Sequence, residues 1–180
     1  MLAFKTEKLT ERVNRIFAPS GELMYLVEGN NRAVLIDTGS GFGSLKECVK
    51  QLTNKEVIVL ITHGHIVHAM GALEFDEVYM NHTDDYIYVE HAKTEYRRPD
   101  FEMLGEKAEE KEFIASAPLS HFRDLRGGDH FYLGGLTIEI YDCPGHTRGS
   151  GVMLIREERS LLLGDACNNF TFIRIPVCQM

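Results

Sequence analysis

The chain has 180 residues, long enough to bury a sizeable core as one domain without help from disulfides. Hydrophobic residues make up 44% and charged residues 26%, a balance that excludes an intrinsically disordered chain. With 19 basic against 27 acidic residues the net charge is −8, which argues against a general nucleic-acid or anionic-membrane binder. No apolar run approaches the ~20 residues needed to span a bilayer. The N-terminal stretch MLAFKTEKLTERVNRIF is charged throughout and holds no apolar signal core. Cys48, Cys143, Cys167 and Cys178 form no CxxC pair, so reduced thiols in a cytoplasmic protein are expected.

In chain order, residues 23–28 (LMYLVE) and 33–36 (AVLI) are β-type runs separated by a short polar turn, which predicts a hairpin. Ser44 is the expected N-cap of a helix through Leu52, with Glu47 completing a capping box. Leu45, Cys48, Val49 and Leu52 share one face of that helix. Residues 57–61 (VIVLI) form a continuous apolar run, expected as a strand covered on both faces. A further strand is expected within 75–80. Between about 84 and 117 the pattern becomes helical and charged, with an interruption expected near Arg98-Pro99 because proline disfavours helix at the residue before it. In this segment Tyr86, Tyr88, Tyr96 and Phe101 are either a substrate lid or a helical face packed on the core. Strands are expected again at 130–133, 136–141, 152–155 and 161–163. The whole reads as a single α/β domain over 1–180 with two sheets.

Three short elements carry chemistry. THGHIVH at 62–68 places His63, His65 and His68 directly after an apolar strand. If strand geometry persists there, His63 and His65 project to one side. Neutral imidazole is the commonest metal ligand, so a metal scaffold is the stronger reading and exposed loop histidines the weaker. CPGHT at 143–147 follows a strand and offers His146, and LLLGDA at 161–166 sets Asp165 just past another. Each of these two alone is an ordinary turn.

Together the elements resemble the metallo-β-lactamase superfamily, which carries THxHxDH, PGHT and GDA in this order and an early LIDTG strand end, here at 35–39. The resemblance covers roughly residues 21–166. It implies an αββα sandwich with metals at one edge between the sheets. It assigns His63, His65 and His146 to a first zinc, His68 to a second, and Asp165 to a bridging place. It further implies water activated by metal attacking an ester, thioester, lactam, lactone or phosphoester bond.

The sequence departs from the pattern at two places. Val67 stands where the family has an aspartate ligand, and residues 167–180 contain no counterpart of the family's final histidine. One zinc per chain is therefore expected rather than two. Cys167 is a soft donor that could substitute, or simply a small buried thiol; His82, His91, His121 and His130 have no motif around them. The sandwich is expected to be C-terminally incomplete, and the surface this would leave favours a homo-oligomer. The loop GSGFG at 39–43 does not fit a dinucleotide fingerprint and reads as a turn before the capped helix. The expected activity is that of a glyoxalase-II-like thioesterase or esterase on a small-molecule substrate, weakened by Val67. The competing expectation is a non-catalytic zinc- or ligand-binding protein on the same scaffold.

Overall fold

The computed structural model describes residues 2–105 and 108–167. Seven strands form the larger sheet in sequence order: β1 (Lys5–Lys8), β2 (Val13–Phe17), β3 (Leu23–Glu28), β4 (Arg32–Ile36), β5 (Glu56–Leu60), β6 (Val78–Met80) and β7 (Phe122–Asp124). The first four run antiparallel to their neighbours, including the expected β3–β4 hairpin, whereas β4 through β7 are parallel. A second, antiparallel sheet has the order β11 (Ser160–Leu162), β10 (Gly151–Ile155), β9 (Thr137–Asp142), β8 (His130–Tyr132).

Period-two alternation divides the core into two layers. Met24, Leu26, Ala33, Leu35 and Val59 point to one face of the larger sheet, where they pack with Leu45, Val49, Met70 and Tyr88 from the helices. Val27, Val34, Ile36, Ile58 and Leu60 point to the other face and meet Ile138, Ile140, Met153 and Ile155 of the smaller sheet. Strand β5 thus needs apolar residues on both faces, which is why its sequence shows a run and no alternation. The described residues give the helix, sheet, sheet part of the expected αββα order. The expectation of missing final elements concerns residues 168–180, which lie outside those described, as does Cys178. No helix among the described residues is long and apolar enough to cross a membrane.

Four helices serve the outer face: α1 (Leu45–Leu52), α2 (Ile66–Ala69), α3 (Asp85–His91) and α4 (Thr94–Glu102). Ser44 caps α1 as expected, accepting from the Glu47 N–H. Glu47 does not complete the box; it pairs with Lys50 at 2.7 Å. Glu74, from a distant turn, takes the Leu45 N–H (2.9 Å) and the Ser44 hydroxyl (2.7 Å) instead. A carboxylate at a helix start is favoured by the dipole whatever its sequence origin.

The expected break at Arg98-Pro99 is also corrected. α4 runs through Pro99, and the interruption falls at Ala92-Lys93. Arg97, 1% exposed, donates to the carbonyls of Ser40 (3.0 Å) and Ile114 (2.8 Å), and Phe101 packs edge-on against Phe42. These anchors offset the ~3 kcal/mol that an interior proline costs. They also tie loop 39–43 to the helical segment. The four aromatic residues of that segment divide, with Tyr88 and Phe101 in the core and Tyr86 and Tyr96 exposed.

Candidate metal centre

Strands β4, β5 and β6 are parallel neighbours, so the chain leaves all three at one edge of the sheet. Asp37 follows β4, the segment 62–65 follows β5, and Asp84 closes a 3-10 turn after β6. Asp37 has a φ of +62°, a left-handed conformation uncommon outside glycine. It is held there by its own bonds. The N–H of Thr62 donates to its Oδ1 (2.7 Å), the Thr62 hydroxyl donates to its Oδ2 (2.8 Å), and His68 Nδ1 stands 2.7 Å from Oδ2.

This anchoring fixes the ring of His63. Because the Thr62 hydroxyl hydrogen is given to Asp37, its oxygen is left to accept from His63 Nδ1 at 3.1 Å. The Nε2 lone pair of His63 then faces outward. It lies 3.0 Å from His65 Nδ1, and His146 Nε2 lies 3.0 Å from the same atom. His65 and His146 are separated by 81 residues of chain. Burial, then the neighbouring imidazoles, hold His63 far below the usual histidine range and His65 down at about 4. Both rings are therefore neutral near pH 7, the form that ligates metals.

Asp165 stands between this triad and His68. Its Oδ2 is 3.5 Å from His146 Nε2 and 4.0 Å from His63 Nε2, and its Oδ1 is 3.5 Å from His68 Nε2. Burial alone would lower the pKa of His68, but the carboxylates of Asp37 and Asp165 outweigh it and hold the ring up at about 10. Two overlapping donor groups result, His63–His65–His146 and His63–His68–Asp165, each with ligand atoms within 4.8 Å of one another. All five residues singled out from the sequence come together here. Val67 is half-buried and lines a cleft of about 630 Å³ together with Asp37, His68, Leu23, Leu163 and Asp165.

The donor set suits a metal ion. Tetrahedral zinc with Zn–N bonds of about 2.0–2.1 Å separates its nitrogens by roughly 3.3 Å. The observed 3.0 Å spacings need only a few tenths of an ångström of opening. The Nδ1 of His146 is buried without a hydrogen-bond partner, so no hydrogen bond at that atom competes for the orientation of the ring.

Two residues at the site carry no sequence signal. His91 stacks on His65 (centroids 5.1 Å, 23°) and on Tyr96 (4.4 Å, 20°), while its Nδ1 accepts from the Ile66 N–H at 3.0 Å. Asp84 is fully buried and bonds to both histidine-bearing loops. His82 pairs with Asp85, His121 bonds to the carbonyls of Ala72 and Phe75, and His130 lies on β8. None of these three belongs to either donor group.

Two facing sheets gather imidazoles from separate loops at one edge, a donor set suited to a metal ion. The sequence pattern of the Metallo-beta-lactamase superfamily matches residues 18–177, and the chain belongs to that superfamily of metal-binding hydrolases. It is 26% identical over 165 residues to the acyl-coenzyme A thioesterase MBLAC2 of Homo sapiens, a match covering 79% of this chain and 57% of that protein. The chain thus spans about half the length of the curated relatives it matches. The native FEZ-1 metallo-beta-lactamase from Legionella gormanii shares the fold with a TM-score of 0.62 and 18% identity, covering 96% of this chain and 68% of that one. TTHA1623 in a di-iron-bound form gives a TM-score of 0.60 at 24% identity, over 90% of this chain and 76% of that one.

Proposed function

We propose that this chain is a zinc-dependent hydrolase of esters or thioesters, with one metal ion held by His63, His65 and His146. The observation that carries the reading is the convergence of three imidazoles, two of them 3.0 Å from the third. A divalent cation bound there supplies Lewis acidity and lowers the pKa of water to about 7. The protein's own part is positioning. Thr62 and Asp37 fix the ring of His63, and Asp37 fixes that of His68. Asp165, between the triad and His68, is placed to accept a proton at the reacting centre. The cleft beside it, with Leu23, Val67 and Leu163 in its wall, offers apolar surface to the acyl part of a small substrate. The acyl-coenzyme A thioesterase name of a relative favours the thioester among these bonds.

Val67 favours a second reading, a metal-binding protein without turnover. It puts a hydrocarbon side chain beside His68 and Asp165, so that corner gains no donor from position 67. A panel of thioesters, esters and phosphoesters assayed with added zinc separates the two readings. Thioester or ester turnover that disappears in His146→Ala supports the enzyme. Stoichiometric zinc binding with no turnover on any substrate overturns it in favour of the binding protein.

A further inference from the structure

We infer that Asp84 is the positioning residue that sets His146 against His63 and His65; the inference rests on the metal-centre reading above. Asp84 is 0% exposed, and its carboxylate joins two loops that are remote in sequence. Oδ2 accepts from the Gly64 N–H at 3.1 Å and from the Thr147 hydroxyl at 2.6 Å, and Oδ1 accepts from the Gly149 N–H at 2.7 Å. Gly64 lies between His63 and His65, and Thr147 directly follows His146. One side chain therefore grips the backbone on both sides of the triad through charge-assisted bonds, which are stronger than neutral ones.

The packing is as specific as the bonding. A Cβ at Gly64 would stand 3.0 Å from the Cβ of Asp84, and one at Gly149 would stand 2.7 Å from its Cγ. A side chain at Gly149 would collide with the carboxylate, and one at Gly64 would press on the Cβ and backbone carbonyl of Asp84. A second tie, from the Gly151 N–H to the Thr62 carbonyl at 2.9 Å, holds the far end of the later loop. Asp84 holds the end that carries His146. It belongs to neither donor group, so its influence on a metal passes through the backbone it holds.

Asp84→Asn keeps the volume but turns an amide toward a donor on one side or the other. At least one N–H then loses its acceptor and faces another donor. The expected result is a fall in zinc affinity of about tenfold or more, measured by competition with a chromophoric chelator. The visible bands of the cobalt-loaded protein should shift as well, because they report ligand geometry directly. Thr147→Val, which removes one of the three bonds, should weaken zinc binding less, and Thr147→Ser should restore it. Glu74→Ala, which weakens the distant cap of α1, should lower stability and leave the cobalt spectrum unchanged. Wild-type affinity and spectrum in Asp84→Asn would overturn the inference. If that variant does not fold, equal affinities in Thr147→Val and Thr147→Ser would overturn it. A wild-type chain that binds neither zinc nor cobalt would instead overturn the metal-centre reading itself, and this role of Asp84 with it.

Discussion

The two corners of the site are built on opposite principles. The His63–His65–His146 corner draws its donors from two loops 81 residues apart, and its geometry depends on groups behind the rings: Thr62, His91 and Asp84. The His68–Asp165 corner is braced as firmly, since Asp37 holds His68 at 2.7 Å, yet position 67 there contributes only valine. Bracing and ligand supply are thus separable properties. A corner can keep its scaffold while losing a donor, because the braces are buried hydrogen bonds that also stabilise the fold.

The largest effect that would break this contrast comes from the first corner. His146→Ala should reduce zinc affinity more than about 100-fold, since it removes a ligand and not merely its support. Metal counted per chain after dialysis checks this. Retained stoichiometric zinc would mean that the ion sits elsewhere. Val67→Asp sharpens the contrast from the other side. It should raise bound metal from one toward two per chain and increase turnover about tenfold, equivalent to roughly 1.4 kcal/mol in the barrier. Elemental analysis and steady-state kinetics read both, and no change in either would mean that bracing alone does not prepare the second corner. A smaller effect is expected for His91→Phe, which keeps a flat ring against His65 but deprives the Ile66 N–H of its acceptor. It should cost about 1 kcal/mol of stability in urea unfolding and no more than about threefold in zinc affinity. The smallest effect at the site belongs to Glu74→Ala. Loss of the remote cap should lower stability by about 1–2 kcal/mol while zinc affinity stays within about twofold.

What could be read from the sequence follows the same division. The hairpin β3–β4, the doubly covered β5 and the histidine motif announce themselves through local pattern: alternation, an apolar run, a spacing. Their positions agree with the structure because a strand pattern and the loop after it are local properties. Asp84 was legible only as one more acid at the start of a polar segment, and His91 as a histidine without a motif. Their roles depend on contacts across 63 and 25 residues of chain, respectively. Strands β1, β2 and β7 escaped for a related reason. β1 is KTEK, exposed along its length at the sheet edge, and carries no apolar signal to detect. The continuation of α4 through Pro99 and the contact of Glu74 with the start of α1 both show a tertiary partner overriding a local rule.

The parallel arrangement of β4, β5 and β6 has an evolutionary consequence. Asp37, the 62–65 segment and Asp84 all begin where a ladder of backbone pairing has already been completed, and all emerge on the same rim. Chemistry on that rim can be rewritten by exchanging loops without renegotiating the pairing beneath them. Descendants of such a scaffold can gain, lose or retune a reaction while inheriting the same folding instructions.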